Sequence, residues 1–409
     1  MIKSQKPWGL VIMLCATATA SYICRVNVST AGVLIMKEFS LSQTDLGKVF
    51  SAFLLGYALF QVPAGMLADR FGAKKILSLA AWFWVSITII QTFIGLGPFE
   101  SSSAAAITAF MIFRFLLGIS ESPTFPGAAQ GVSKWILPKF QGRANGIVIA
   151  AVGLGSAIAP VFVTYVMINW GWRIALVASA LPALIIAVIW KFIRVPAEEK
   201  LKPLINQNPE TADLPSAGRL NSVSFWLLTF SYTLQGYVGY IFVSWFYIYL
   251  VQVRHFSLIQ GALMSSLPWI LSIISIPLGG YISDRLAAGK SGETWGRRIV
   301  PIIGMGFSGL LISLGAHTAS PVIAAISLAF ATALILSVEG PFWAMMMRIA
   351  GKNSGTAGGI MNMGSNLGGF VSPFLTPFLA TYIGWENALH LAAILAIIAA
   401  VSWLGIRGR

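Results

Sequence analysis

The stretch ANGIVIAAVGLGSAIAPVFVTYVMINWGWRIALVASALPALIIAVIWKF, residues 144–192, carries one charge, Arg173, before Lys191 near its end. It reads as two apolar runs, 144–168 and 174–192, separated by Gly171-Trp172. Each is close to the ~20 residues that an α-helix needs to cross a bilayer core. Similar runs precede it near 8–35, 45–66, 76–97 and 104–128. Others follow near 222–251, 259–282, 299–318, 321–347, 357–381 and 387–406. Membrane barrels are built from alternating strands of about ten residues. These runs are roughly twice that length, so the expected fold is all-α and integral to the membrane, with twelve spans.

Composition agrees. Of 409 residues, 57% are hydrophobic and 10% charged, with a mean hydropathy of +0.80. An ordinary soluble domain is about 25% charged, and a soluble chain of this length has no interior large enough for so much apolar surface. Soluble enzymes, disulfide scaffolds and disordered chains are excluded. No nucleophile or metal constellation suggests a membrane enzyme, so no catalysis is expected. Cys15 and Cys24 lie on one run, about 13 Å apart along a helix, beyond disulfide reach. The first run lacks a cleavage site and reads as a retained span.

A polar stretch divides the chain. The expected organisation is an amino-terminal six-helix bundle over 1–194, a cytoplasmic linker over 195–220 and a second six-helix bundle over 221–409. Lys and Arg then set the topology. With the amino terminus inside, cytoplasmic segments hold 21 of them and outer segments hold four, Lys37, Lys48, Arg173 and Arg254. Both termini are therefore expected in the cytoplasm. The same placement accounts for the net charge of +14 without nucleic acid. The expected partners are lipid and a small solute, and the expected assembly is a monomer.

The halves repeat. Gly65-x-x-x-Asp69-Arg70 recurs as Gly280-x-x-x-Asp284-Arg285, and Gly142-x-Ala144-x-Gly146-Ile147 recurs as Gly355-x-Ala357-x-Gly359-Ile360. Gly155-x4-Pro160 recurs as Gly368-x4-Pro373, and Gly171-Trp172 as Gly384-Trp385. Four features in the same order at nearly one offset imply a duplicated six-helix unit. Such parallel repeats characterise transporters with a midplane site.

The string GMLADRFGAKK at 65–75 resembles the signature loop of the major facilitator superfamily. SYICRVNVS (21–29), FSAFLLGYALFQVPAG (50–65), RFLLGISESP (114–123), GPFWA (340–344) and NMGSNLGG (362–369) resemble, more narrowly, the anion:cation symporter family. The resemblance implies a proton-coupled carrier of a sugar acid, dicarboxylate or similar organic anion in a bacterial inner membrane, without a cofactor. Anion exchange, export of organophosphates or drugs, and Na⁺ coupling are the alternatives. One position departs. Many bacterial members carry Asp just before the span-one arginine; here it is Cys24, as in the sialin branch, so a mechanism that uses that Asp is not expected.

Four charges fall inside spans: Arg25, Arg114, Glu121 and Glu339. Each costs about 2.5–3.5 kcal/mol at a helix centre on insertion scales, so such charges line cavities or pair. A guanidinium holds a carboxylate by two parallel hydrogen bonds, which points to Arg25 as the substrate anchor. Tyr22 lies one turn earlier on the same face. Arg114 and Glu121 are two turns apart on one face, and an anion competing for an arginine would couple proton uptake at Glu121 to binding. The alternative is a fixed intrahelical pair. Arg114 is expected in gating or substrate binding. Glu339 shares the form Glu-x-Pro with Glu121 and is a second proton site, a cation ligand or a structural partner of an arginine. The resemblance implies substrate contacts for Tyr57 and for Asn362 or Asn366; Gln235, Tyr237 and Tyr240 are further polar groups. Gly65, Asp69, Arg70, Asp284 and Arg285 are expected to gate the cytoplasmic side, with Asp69 accepting backbone hydrogen bonds at a helix amino terminus. The glycines at 142, 146, 355 and 359 are expected at close helix contacts. His255, His317 and His390 are scattered without ligand spacing, so no metal site is expected.

Overall fold

A computed structural model describes residues 8–96, 102–136, 138–195, 220–289 and 292–407. The linker expected over 195–220 lies outside these, apart from its two ends. So do Lys3, Lys6, Lys200, Lys202, Arg219, Lys290 and Arg409. Among the described residues the chain is helical, without a strand. The elements are α1 (Trp8–Phe39), α2 (Gln43–Phe71), α3 (Ala73–Ile90), α4 (Ser103–Glu121), α5 (Thr124–Trp135) and α6 (Pro138–Phe192). Then come α7 (Val223–Ile248), continued by a π-turn at Tyr249–Val253, and α8 (Leu258–Ala287). α9 (Gly292–His317), α10 (Pro321–Ser337), α11 (Glu339–Ala350) and α12 (Ser354–Ser402) complete the order.

Ten helical segments among the described residues are long and apolar enough to cross a membrane. α4 with α5 makes one of them, and α10 with α11 another. Their outer faces carry large apolar side chains in the open, such as Ile12, Val62, Met66 and Phe83. In water that surface would drive aggregation; in lipid it is solvated.

Two helices are too long to be straight spans. At 1.5 Å per residue, the 55 residues of α6 would extend about 80 Å, against a hydrocarbon core of about 30 Å. Each breaks at the glycine the repeat had marked: Gly171 has φ 85° and ψ 163°, and Gly384 has φ 79° and ψ 158°. These values are open to glycine and strained for other residues.

The chain packs as two compact units. One comprises Met1–Ala31 and Leu55–Ala212, the other Gly32–Leu54 and Asp213–Arg409. Packing thus groups residues 32–54, the end of α1 and the start of α2, with the chain beyond the 195–220 boundary. Inside that second unit, Ser51 Oγ donates to the Phe370 carbonyl at 2.7 Å and Gln43 Nε2 to Gln252 Oε1 at 2.8 Å. Trp385 Nε1 donates to Gln43 Oε1 at 3.0 Å.

The repeat is visible in close approaches. A Cβ on Gly155 of α6 would collide with the Thr19 carbonyl of α1, and one on Gly368 of α12 with the Thr233 carbonyl of α7. Backbone cannot swing aside as a side-chain tip can. By contrast, Gly146 and Gly359 face open space, which corrects the expectation of close contacts there. Gly142 and Gly355 lie outside the residues whose side chains are described. Gly155→Ala and Gly368→Ala are each expected to destabilise by about 1–3 kcal/mol through overpacking. Gly146→Ala should leave stability unchanged or slightly raise it. Thermal unfolding of the purified variants in detergent measures all three.

Candidate functional site

In the first unit, a helix break places the acid. α4 ends at Glu121 and α5 begins at Thr124, with Pro123, which has no N–H, between them. Side chains satisfy two carbonyls at the break: Trp84 Nε1 donates to Ser120 O, and Thr124 Oγ1 to Glu121 O, both at 2.7 Å. The Glu121 carboxylate, fully buried, meets α1.

There its two oxygens differ. Oε2 accepts from Ser21 Oγ at 2.9 Å, Arg25 Nε at 3.2 Å and Arg25 Nη2 at 3.1 Å. Oε1 is buried and accepts no hydrogen bond from the described residues. The guanidinium of Arg25 lies over two rings, 4.4 Å from the Tyr22 centroid and 4.7 Å from that of Tyr57. Its Nη1 donates to Tyr22 Oη at 3.1 Å. The structure therefore brings Tyr22, Arg25, Tyr57 and Glu121 into one buried cluster, an ion pair flanked by phenol rings.

Arg114 lies beside it with different partners. No ion pair joins it to Glu121 among the described residues, so the intrahelical alternative is not what forms. Its Nη1 donates to the Arg25 carbonyl at 3.2 Å and the Cys24 carbonyl at 3.4 Å, and its Nη2 to Asn27 Oδ1 at 2.6 Å. Asn27 Nδ2 in turn donates to Ser179 Oγ on α6 at 2.7 Å. Arg114 is 2% exposed, and its Nη1 and Nη2 are turned to α1. It holds the segment of α1 that carries Arg25. Neither Asn27 nor Ser21 stands out in sequence, because both partners lie across helices.

In the second unit, the equivalent break follows Val338 between α10 and α11. Glu339 opens α11. Its Oε2 accepts from Tyr232 Oη at 2.8 Å and its Oε1 from Gln235 Nε2 at 3.0 Å, both on α7. No cation pairs with it among the described residues. Gln235 was visible as a polar residue in an apolar span; Tyr232 was not. Tyr237 is bonded to Thr376 at 3.0 Å. Asn362 and Asn366 sit one turn apart on α12, half-buried and buried, in this same unit.

The sequence profile described as Major Facilitator Superfamily matches residues 13–371, with a second match over 286–409. The chain belongs to the major facilitator superfamily. It is 31% identical over 363 residues to the probable sulfoacetate transporter of Cupriavidus necator, covering 86% of this chain and 82% of that one. It is 31% identical over 352 residues to a probable galactarate/D-glucarate transporter of Bacillus subtilis (80% and 76% covered). Against the corresponding protein of Escherichia coli K12 it is 28% identical, covering 98% and 93%. Among solved folds, a bacterial homologue of the human lysosomal transporter Spinster, in an inward-facing and occupied conformation, superposes with a TM-score of 0.79 at 18% identity, covering 99% and 97%. A D-xylose–proton symporter gives 0.76 at 15% identity, covering 98% of each chain.

The signature loop joins α2 to α3. Gly65 meets Pro126 at ordinary contact distance from where a Cβ would sit. Asp69 is exposed and accepts no backbone hydrogen bond among the described residues. The amino terminus of α3 is met by Gln130 of α5, whose Oε1 accepts from Ala73 N at 2.9 Å. Arg70 lies over the Phe71 ring at 5.2 Å, and Lys74 Nζ donates to the Ile193 carbonyl at 2.7 Å. The repeat copy is ionic: Arg297 Nη1 meets Asp284 Oδ1 at 2.9 Å, while Arg285 Nη1 donates to Tyr281 Oη at 2.8 Å.

Proposed function

We propose that this chain is a proton-coupled symporter of a small organic anion, working by alternating access in a bacterial cytoplasmic membrane with both termini inside. Twelve spans follow if Arg143–Phe192 and Thr356–Ser402 each cross twice, turning back at Gly171 and Gly384. The anion class is supported by relatives named for sulfoacetate and for galactarate and D-glucarate.

The observation that carries the coupling is the divided carboxylate of Glu121. One oxygen takes every donor, and the other is buried without a partner. A substrate carboxylate and Glu121 compete for one guanidinium. When substrate takes Arg25, Glu121 is left as a buried anion without its countercharge, which is costly. A proton on Oε1 removes that charge. The exchange balances: the Arg25–Glu121 ion pair becomes an Arg25–substrate ion pair beside a neutral Glu121, so one proton accompanies one carboxylate. Tyr22 and Tyr57 keep the guanidinium in place as its partner changes. Arg114 acts as a positioning residue.

Glu339 favours a second reading for doubly charged substrates. One proton with a dianion moves a negative charge inward, opposed by ~2.3 kcal/mol per 100 mV of interior-negative potential. A second proton on Glu339, which accepts from the neutral Tyr232 and Gln235, would cancel it.

Proteoliposomes test both readings. An inside-alkaline pH gradient should drive accumulation of labelled galactarate, D-glucarate or sulfoacetate, and a protonophore should collapse it. Accumulation that follows a Na⁺ gradient at equal pH, or uptake seen only as exchange, would overturn the proton symport. A reversal potential that corresponds to two protons in wild type and one in Glu339→Gln supports the second site; identical values in the two remove it.

A further inference from the structure

We propose that His317, Glu386 and His390 form a binding site for a divalent transition cation of the zinc class. In sequence no two histidines have ligand spacing: His317 ends α9, while Glu386 and His390 lie on α12 just past the Gly384 corner. Folding brings them together. His317 Nδ1 is 2.7 Å from Glu386 Oε1, and His390 Nε2 is 3.8 Å from the same oxygen. One ligand atom from each residue lies within 4.8 Å of the others. A tetrahedral zinc ion with bonds of about 2.0–2.1 Å holds its ligands roughly 3.3 Å apart. The two measured separations bracket that value, and the third pair lies within 4.8 Å.

The surroundings suit a metal. Two imidazoles and one carboxylate are a familiar three-ligand zinc set, with the fourth position open to solvent. Glu386 and His390 are one turn apart, so a single helix face presents both. Ser313 Oγ lies 2.9 Å from His390 Nδ1, which orients the ring and leaves Nε2 for the ion. The main chain at His317 is fixed from behind by Arg254. That guanidinium donates to the carbonyls of Gly315, Ala316 and Thr318, each at 2.7 Å, so its charge is engaged by the end of α9. The residues are open to solvent, with His317 and Glu386 side chains 80% and 51% exposed, which suits an exchangeable ion arriving from outside.

Occupancy would tie the end of α9 to the limb of α12 that starts at Trp385, whose indole holds Gln43. The inference is independent of the transported solute. Its test is a titration of full-length, tag-free protein with Zn²⁺ against a chromophoric chelator. Wild type should bind one ion per chain at micromolar free Zn²⁺, unaffected by millimolar Mg²⁺, which prefers oxygen ligands. His317→Ala, His390→Ala and Glu386→Gln should each weaken binding at least tenfold. Ser313→Ala should weaken it about tenfold without changing the stoichiometry, because it removes only the support of a ligand. His255→Ala is the control and should bind as wild type. Failure of wild type to bind at micromolar Zn²⁺ would overturn the site. So would undiminished binding in a monodisperse His317→Ala/His390→Ala double variant.

Discussion

Glu121→Gln is expected to abolish accumulation driven by a pH gradient while labelled substrate still exchanges by counterflow. For one proton moved with a monoanion, a gradient of one pH unit stores about 1.4 kcal/mol and supports about tenfold accumulation. The amide keeps the shape of the side chain, and its oxygen can still accept from Ser21 and Arg25. It cannot gain or lose a proton, so substrate equilibrates without being concentrated. Glu121→Ala is a different experiment. It strands the buried Arg25 guanidinium, a loss of about 3–5 kcal/mol of stability for a broken buried pair. Tenfold accumulation by a folded Gln variant would remove Glu121 from the coupling step.

Arg25→Lys should bind substrate about 10- to 150-fold more weakly, although the charge is kept. The guanidinium of Arg25 donates from Nε and Nη2 toward one carboxylate and from Nη1 to Tyr22, with the ring centroids of Tyr22 and Tyr57 4.4 and 4.7 Å away. An ammonium is a point charge without that planar fork. Losing one charge-assisted hydrogen bond to the substrate is worth about 1.5–3 kcal/mol, which gives the stated range. Isothermal titration with the anion that supports transport measures it. Wild-type affinity in a well-folded Lys variant would exclude Arg25 as the anchor.

Much of this architecture was legible because lipid is a simple solvent. It demands long apolar runs, and Lys and Arg mark their ends, so the spans and the duplication could be read from strings such as those around Gly171 and Gly384. The charged members of the site were legible for the same reason: a charge in an apolar run stands out. Their partners were not. Arg114 and Glu121 share a face of one helix, which suggested a local relation, yet each turns to α1, because the break at Pro123 ends α4 at the carboxylate. Glu339 offered no hint of Tyr232, since a tyrosine among aromatics in an apolar span carries no signal until two helices pack. Gln130 meeting Ala73, and His317 meeting Glu386, are likewise contacts between distant segments. Periodicity describes one helix at a time, and these pairings belong to tertiary structure.

The two glycine corners have a consequence in terms of handedness. With φ near 80° and ψ near 160°, Gly171 and Gly384 occupy the mirror image of an ordinary extended conformation. That is the natural territory of a D-amino acid. Genetically, glycine alone can stand there without strain, so both copies of the duplicated unit have the same achiral residue at the turn. Chemically, a second solution exists. At either corner, D-alanine introduced by semisynthesis should fit the backbone that L-alanine would strain, and because no atom beyond the adjoining backbone lies within 4 Å of where an L-side-chain Cβ would sit, the L-variant's penalty would report the local backbone conformation alone.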